Sequence, residues 1–522
     1  MALLEGNALL YSVSLLACLG FLLIGFDNGL MGGLVNGEAF DNTFHINPKS
    51  KSGANLIGLI VSIYEIGCFI GAVTTAFVGE RLGRRRSIFA GTVVMIIGAV
   101  LQATSYSVAQ MIVARIVAGI GMGFINSTVP VMMAEFAPKA TRGMYVCAQL
   151  STLNFGIMMV YWIDYGFGQG AGAGQSYSWR VPVILQCIFL IPMLIIIALI
   201  PETPRWLTSH GHEEEALEVL RRLNRKKMSD AAIIRIADDI RNVAAYEASI
   251  DSGKWSDLLR NDSIQSQKRF LIACSIQAFQ QLGGINALVY YSNTLFQQSV
   301  GFTPQFSALM SGILNTWFFV ASFIPWFLID RIGRRPLLLS MVSLMAAVMA
   351  VQTGLIYSVQ NKLPNQHACG AAAAAMLFIF QGAFTVGFQA TVWVYPSEIL
   401  PLKLRQRGSS ISTACNWIMN FMVRSLSSPP DPLLTLCQIV YITPPAIQNI
   451  GYKTYIIFAV LNATWVPIMY FYYPETKGLA LEDVDRLFAK NGEMQEHLAY
   501  HDDKLGDVEN RIEGDEKTMR VQ

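Results

Sequence analysis

Four side-chain amides lie close together in one otherwise apolar stretch of the sequence, residues 269–291. They are Gln277, Gln280, Gln281 and Asn286. The spacing of the three glutamines places them on one face of a helix. An amide donates and accepts hydrogen bonds without carrying a charge, so this face suits a neutral ligand rich in hydroxyl groups. Polar groups inside a membrane are costly and are candidates for a functional site, although each one alone can also be a packing contact between helices.

The composition indicates that these amides are intramembrane residues. The chain has 522 residues, of which 53% are hydrophobic and only 14% charged, whereas soluble domains have about 25% charged residues. This excludes an ordinary soluble enzyme, a disordered protein and a nucleic-acid binder, and the net charge of +2 attracts no acidic partner. Most of the eight cysteines lie in apolar runs and are expected to be buried hydrophobic residues rather than disulfides or metal ligands: Cys18, Cys68, Cys147, Cys187, Cys274 and Cys415.

Twelve stretches are predicted to cross the membrane, each close to the required length of about 20 apolar residues. They are 8–26, 56–78, 88–104, 109–132, 144–163, 181–200, 269–291, 306–329, 337–357, 371–394, an interrupted eleventh at 408–423 and 439–446, and 452–472. The first is too long for a cleaved signal peptide and has no cleavage site after it. Four short loops on one side hold twelve Lys and Arg residues against five on the other, which predicts that both termini are cytoplasmic.

One polar segment separates the first six spans from the last six. Within it, residues 213–227 predict a solvated amphipathic helix. The predicted fold class is therefore an all-α membrane protein with two parallel six-helix halves. The expected domains are an N-terminal half at 1–200, a cytoplasmic helical linker at 201–268, a C-terminal half at 269–474 and a cytoplasmic tail at 475–522, which is disordered beyond about residue 490.

Three motifs occur once in each half and in the same order. Residues 80–85 (ERLGRR) return as 330–335 (DRIGRR), an acid–Pro–Arg pattern at 135, 138 and 142 returns at 398, 401 and 405, and 201–203 (PET) return as 474–476. Such a parallel duplication is typical of transporters with a substrate site between the halves. We expect the charged residues to form ion pairs across the halves that close the cytoplasmic side: Glu80, Arg84, Arg85, Glu135, Arg142, Asp330, Arg334, Arg335, Glu398 and Arg405. The alternative is that they are topology signals and weak surface pairs.

These motifs resemble those of the sugar porter family of the major facilitator superfamily, especially its fungal members. Further matches are 201–205 (PETPR), 280–286 (QQLGGIN) and 474–478 (PETKG), and the resemblance covers about residues 15–490. It implies that sugar is contacted by the four amides of residues 269–291 and by Asn315, Trp393 and Asn416, with Tyr290 and Trp417 as nearby aromatic residues. It also implies that Asp27 and Arg115 form the intramembrane acid–arginine pair of the family's proton symporters. A neighbouring arginine favours the charged carboxylate, and its departure favours the protonated one. Glu65 is a second intramembrane acid, more readily explained by helix pairing or cavity lining than by coupling.

Two departures from the family pattern affect the predicted substrate. Leu150 occupies the position of a sugar-binding glutamine, and Gln149 is one residue early, so it is turned about 100° away. The proline-bearing break of the tenth span is replaced by residues 387–393 (GFQATVW), which contain no proline but add Gln389. Both changes weaken the case for glucose and leave a polyol, a disaccharide or another hydroxylated solute open.

The eleventh predicted span is interrupted by residues 423–438. Its prolines cannot continue a helix, and irregular backbone does not face lipid. Joining Met422 to Ile439 restores a continuous span. We interpret the segment as a translated intron, with a genuine insertion in an extracellular loop as the alternative.

The sequence therefore predicts a plasma-membrane, proton-coupled sugar transporter that works by alternating access and is not an enzyme. A proton-independent facilitator, a polyol or disaccharide carrier and a non-transporting sugar sensor are the alternatives. Its expected partners are a small sugar, protons and the lipid bilayer, with no nucleic acid. No P-loop motif or metal-ligand spacing occurs, so no cofactor or metal is expected.

Overall fold

The computed structural model describes most of the residues of the chain. They are 4–34, 38–47, 51–138, 142–169, 174–225, 228–249, 258–260, 265–296, 301–401, 404–425, 451–477, 479 and 484–488. Every regular element among them is helical, as the predicted fold class requires.

The N-terminal half consists of long helices joined by short turns. They are α1 Asn7–Leu34, the short α2 Glu38–Phe44, α3 Lys51–Leu82, α4 Arg84–Ala103, α5 Val108–Phe136, α6 Arg142–Gln169, and a last span divided into α7 Tyr177–Leu185 and α8 Cys187–Leu199. The connection between α7 and α8 is nearly continuous, because Gln186 keeps helical dihedral angles.

The C-terminal half has the same general plan but more interruptions. Its helices are α12 Ser266–Leu282, α13 Ile285–Thr294, α14 Pro304–Ala321, α15 Ile324–Ile332, α16 Arg334–Gln360, α17 Gln366–Phe384, a π-helical turn Thr385–Gln389, α18 Ala390–Val392, α19 Tyr395–Ile399, α20 Arg405–Ser425, α21 Lys453–Tyr472 and α22 Val484–Phe488. The segment 426–438, which holds most of the predicted intron, lies outside the described residues, as does the tail beyond 488.

Nine described helices are long and apolar enough to cross a membrane, or ten if the bent pair formed by α14 and α15 counts as one span. Two of the twelve predicted spans do not meet that criterion. Residues 269–291 are divided into two helices by Gly283 and Gly284, and α20 is rich in serine, asparagine and arginine. The polar residues of these segments make them candidates for a binding site.

Three helices between the halves form the polar insert: α9 Pro204–Ser209, α10 Glu213–Leu223 and α11 Asp230–Ser249. The amphipathic helix expected over 213–227 ends four residues early, at Leu223. Its acids lie in the first turn and its arginines in the last, which complements the helix dipole. Ala216, Val219 and Leu220 form its buried face, so the helix is amphipathic as predicted.

The halves meet chiefly where α20 packs against α3 and where α14 and α15 pack against α6. Side chains of α6 make hydrogen bonds across the second contact. Tyr161 donates to the Ala308 carbonyl at 2.9 Å, and Trp162 Nε1 donates to Thr316 Oγ1 at 3.1 Å. The interface between the halves is therefore partly polar at membrane depth.

Candidate functional site

The predicted amides of α12 and α13 form one hydrogen-bonded cluster with α20. Asn416 donates to Gln277 Oε1 at 2.7 Å and to Gln280 Oε1 at 2.9 Å, and its own Oδ1 accepts from Gln281 Nε2 at 2.9 Å. Asn286 donates to Gln281 Oε1 at 2.7 Å. All five side chains are at most 8% exposed. The structure thus brings together five of the residues predicted to contact the ligand.

Asn420 is a further member of this amide cluster that sequence reasoning missed. Its Oδ1 accepts a hydrogen bond from Asn286 Nδ2 at 3.2 Å. The residue lies four positions after Asn416, which is one helical turn along α20. Helical periodicity on the eleventh span was the available signal, but the interruption that begins at 423 obscured the span.

A sharp turn between α12 and α13 shapes the amide cluster. Gly284 has φ +99°, a conformation that L side chains rarely adopt, and a Cβ on it would lie 3.0 Å from the ring of Phe458 on α21. The Gly283 carbonyl accepts a hydrogen bond from Asn462 Nδ2 at 3.1 Å. Glycine at 284 therefore allows the chain to bend so that Asn286 reaches back to Gln281.

The aromatic residues predicted near the site have contacts in the N-terminal half. Trp393 meets Phe21 of α1 edge to face, with ring centroids 5.9 Å apart, and Trp417 meets Tyr64 of α3 in the same manner at 6.5 Å. Trp417 is 2% exposed, yet its indole N–H has no hydrogen-bond partner in the described part of the chain. A buried donor without a partner at this position is available to a ligand.

The remaining predicted contacts are less well placed. Asn315 on α14 is buried but makes no hydrogen bond to the amide cluster among the described residues. The side chain of Tyr290 on α13 lies outside the described part. Gln149 is buried, and neither of its amide atoms has a partner within the described ranges, whereas Leu150 faces a small cavity between the halves. Leu150, and not Gln149, lines this cavity, as the one-residue displacement on α6 leads us to expect.

Asp27 and Arg115 form a buried ion pair between α1 and α5. Arg115 contacts the two Asp27 oxygens at 3.3 and 3.2 Å, and each residue is 1% exposed. The guanidinium also donates to the Val61 carbonyl at 3.3 Å and lies 4.5 Å from the centre of the Tyr64 ring. Tyr64 also contacts Trp417, which follows Asn416 in the sequence, so two aromatic rings connect the ion pair to the helix that carries Asn416.

The charged residues of the repeated motifs form two clusters, one in each half. Arg84 contacts Glu80 at 3.4 Å and Glu135 at 3.1 Å, and Arg334 contacts Asp330 at 3.0 Å and Glu398 at 3.1 Å. These four described pairs join helices of one half, whereas we expected pairs that cross between the halves. The physical reason is that each arginine begins a helix directly after its acid-bearing helix ends, which places that acid one turn away, and α5 or α19 brings the second acid of the same half against it.

Arg85 and Arg335 bind carbonyl oxygens instead of acids. Arg85 donates to the Ile197 and Ala198 carbonyls at 2.9 and 3.1 Å, and Arg335 donates to the Tyr470 carbonyl at 2.6 Å. These carbonyls lie near the ends of the last span of each half. The side chains of Arg142 and Arg405, which begin α6 and α20, lie outside the described part.

Two carboxylates that were not among the predicted gate residues cap helices in these clusters. Glu202 accepts from the backbone N–H groups of Arg84 and Arg85 at 3.1 and 3.0 Å, and Glu475 accepts from those of Arg334 and Arg335 at 3.0 Å each. An acid at a helix N-terminus binds otherwise unpaired N–H groups and complements the dipole. Burial nevertheless raises the pKa of Glu202, although these N–H groups and Arg84 act in the opposite direction.

The chain is similar to known membrane transporters. A family model described as "Sugar (and other) transporter" matches residues 13–488. The MFS-type transporter oryC of Aspergillus oryzae is 35% identical over 94% of this chain and 87% of its own length. The sugar transporter STL1 of Saccharomyces cerevisiae is 34% identical over 96% of this chain and 86% of its own length. The solved proton:xylose symporter XylE bound to 6-bromo-6-deoxy-D-glucose is 25% identical, with a TM-score of 0.79, covering 92% of this chain and 100% of that one.

Proposed function

The chain belongs to the sugar transporter family of the major facilitator superfamily, and from this premise we propose that it carries a sugar or a related polyhydroxylated solute across the membrane together with a proton. The protein is a multi-pass membrane transporter rather than an enzyme, as its family indicates. The amide cluster that joins α12, α13 and α20 is the observation that carries the proposal.

The chemistry of the amide cluster supports a neutral, hydroxyl-rich solute. Each amide offers a donor and an acceptor, and a hydroxyl group offers both as well. Hydroxyls of a solute can therefore replace the hydrogen bonds that Gln281 and Asn416 now make to each other. The unpartnered indole N–H of Trp417 adds one donor beside them. No ionised side chain belongs to the cluster, so the site has no preference for a charged substrate.

The buried Asp27–Arg115 pair supports proton coupling. Its carboxylate lies 3.2 Å from the guanidinium, and both side chains are buried. An acid buried beside a single arginine is a site at which a proton can take the place of that arginine. Tyr64 contacts both Arg115 and Trp417, so a solute that moves Trp417 also disturbs the packing of the ion pair. We infer that this aromatic contact links solute binding to protonation.

Alternating access requires each half to move as a unit, and the two charge clusters support such movement. Each described ion pair of these clusters joins helix ends within its own half, which stiffens that half. We propose that this arginine-rich end faces the cytoplasm, that both termini lie there, and that the protein acts in the plasma membrane. The division into two six-helix halves at 1–200 and 269–474, with the linker and tail between and after them, is part of the same proposal.

Uptake of radiolabelled hexoses, pentoses, polyols and disaccharides in a hexose-transport-deficient host tests the proposed function. We expect accumulation of at least one solute above its external concentration, and a protonophore should abolish that accumulation. Downhill uptake that resists the protonophore indicates a facilitator. Specific binding without uptake indicates a sensor. The absence of both binding and uptake for every solute of the panel refutes the proposal.

The coupling role of Asp27 is tested by Asp27→Asn. This change should abolish uphill accumulation but preserve exchange of labelled for unlabelled solute, because exchange needs no proton gradient. Asp164→Asn is the matched control, since Asp164 is a buried carboxylate of the same half with no ion pair among the described residues. Loss of accumulation in both variants would mean that buried negative charge in general, rather than this pair, is required.

The binding role of the amide cluster is tested by Gln281→Ala. Removing an amide that bonds both Asn416 and Asn286 should raise the KM at least tenfold, whereas Gln352→Leu, which removes a buried amide of α16 outside the cluster, should leave the KM within about twofold. Equal changes in KM for the two variants would remove the cluster from the binding site.

A further inference from the structure

A π-helical turn, Thr385–Gln389, lies between α17 and α18, where the sequence lacks the prolines of the family pattern. All five of its residues are buried. A π-helical turn within an α-helix is energetically poorer than the helix around it and is frequently found at functional sites. The tenth span is therefore still irregular at this point, although no proline produces the irregularity.

The last residue of this turn makes a paired hydrogen bond to the other half. Gln389 Nε2 donates to Asn154 Oδ1 at 2.6 Å, and Asn154 Nδ2 donates to Gln389 Oε1 at 2.9 Å. Asn154 is 0% exposed and Gln389 is 3% exposed. Asn154 lies on α6 and also donates to the Phe318 carbonyl of α14 at 3.2 Å. The two amides thus form a reciprocal pair across the interface between the halves.

The same short segment adjoins the amide cluster. One turn after Gln389, the Val392 carbonyl accepts a hydrogen bond from Gln277 Nε2 at 3.3 Å, and Trp393 follows directly. A small cavity between the halves lies beside Gln389. Its lining residues are Cys147, Leu150, Ser322, Pro325, Thr385, Gln389 and Ala390. Gln389 is therefore placed where a solute held by the cluster can extend toward α6.

The reciprocal pair presents the same chemistry as two neighbouring hydroxyl groups. Each amide uses one donor and one acceptor toward the other. A solute with adjacent hydroxyls can take the place of Asn154 and satisfy both the donor and the acceptor of Gln389. A solute with fewer hydroxyls would leave a buried amide atom unpaired, which is unfavourable at this burial. Exchange of partners at this position therefore depends on the hydroxyl pattern of the solute.

We propose that Gln389 is a specificity-determining residue. When the solute binds, Gln389 separates from Asn154 and contacts the solute instead. Asn154 is a positioning residue that satisfies Gln389 and joins the halves while the site is empty. This inference rests on the proposed transport of a polyhydroxylated solute. It assigns the discrimination between such solutes to a contact between α6 and the π-helical turn.

Two substitutions are expected to change solute affinity in opposite directions. Asn154→Leu removes the competitor of the solute, so Gln389 is already free and the Kd should fall about three- to tenfold. Gln389→Met keeps the length of the side chain but removes its amide, so the Kd should rise about tenfold or more. The measurement is equilibrium binding of the best-transported labelled solute to purified full-length protein, together with the KM for its uptake.

Ser151→Ala is the matched control for loss of a contact across the halves. Ser151 lies one turn before Asn154 on α6, donates to the Ser322 carbonyl at 3.1 Å and accepts from Trp326 Nε1 at 2.9 Å. Its removal should lower the Tm but leave the Kd unchanged. If Gln389→Met is not recovered in folded form, Gln389→Asn serves the same purpose, because its shorter side chain cannot reach the solute.

The outcomes separate this inference from the proposed function. If the wild-type protein binds no member of the solute panel, the proposed function fails and this inference fails with it. If the wild-type protein binds but both variants raise the Kd, or neither changes it, the pair is structural and only this inference is overturned. A fall for Asn154→Leu with a rise for Gln389→Met supports it.

Discussion

The charge clusters of the two halves are copies of one motif, and one difference between them lies at their repeated threonines. In both, a buried arginine joins an acid one turn before it and an acid on another helix, and a further carboxylate caps the helix that it begins. In the C-terminal cluster, Thr476 Oγ1 donates to the second oxygen of Glu398 at 2.7 Å. The matching atoms of the N-terminal cluster, Thr203 Oγ1 and Glu135 Oε2, are buried without a partner among the described residues.

This difference shows that keeping a residue type after duplication does not keep its interaction. The threonine follows the capping glutamate in both copies, yet only one copy places it against the acid. A buried carboxylate oxygen that accepts a hydroxyl is better satisfied than one without a donor. The C-terminal cluster is therefore the more completely bonded of the two, and three measurements test that comparison.

The largest effect is expected from removal of the central arginines. Arg334→Ala and Arg84→Ala each leave a mostly buried acid without its cation, which should lower stability by about 3 kcal/mol. The loss should be greater for Arg334, because Glu398 also holds Thr476 in place. Thermal unfolding of the detergent-purified variants measures this, with Arg86→Ala, an exposed arginine of the same turn, as the control. An equal drop for Arg86→Ala would contradict a specific role of the buried arginines.

A smaller effect, similar in both copies, is expected from removal of the capping acids. Glu202→Ala and Glu475→Ala each leave two helix N–H groups without a partner and should lower stability by about 1–2 kcal/mol. Glutamine at either position keeps an acceptor and should restore about half of the loss. The measurement is again the Tm. A marked difference between the two copies would show that their caps are not equivalent.

The smallest effect is also the most direct test of the difference. Thr476→Val removes the hydroxyl donated to Glu398 and should lower stability by about 1 kcal/mol. Thr203→Val removes a hydroxyl that has no partner, so its stability should be unchanged or slightly higher. Comparing the Tm values of the two variants measures this contrast. Equal destabilisation by both would mean that the two threonines have equivalent environments after all.

The predictable part of the proposed binding site consists of residue types on helical faces. The three glutamines of α12 share a face because helical geometry requires it, and Asn416 was found through the family pattern. Asn420 was missed because an interruption hid the continuity of its helix. These amides form one cluster because of the way α12, α13 and α20 pack and because of the bend at Gly284. Both are features of the tertiary structure.

The charged motifs show a different limit of sequence reasoning. Their repetition, order and location at helix ends were evident, and so was the acid–arginine pairing in general terms. The described partners of Arg84 and Arg334 lie within one half rather than across the halves, and sequence spacing could not show this because it does not say which helices neighbour each other. The capping role of Glu202 and Glu475 was likewise hidden, since an acid 118 residues after Arg84 has no local reason to approach it.

By itself, the sequence determined that this protein is a helical membrane protein built from a duplicated unit, since apolar composition and repeated motifs are one-dimensional properties. It also indicated which polar side chains lie inside the membrane. Only the tertiary structure decided which of them meet: the five predicted amides with Asn420, Asp27 with Arg115, and Gln389 with Asn154. The reason is that each contact joins different helices, and its formation depends on the packing of those helices rather than on the local order of residues.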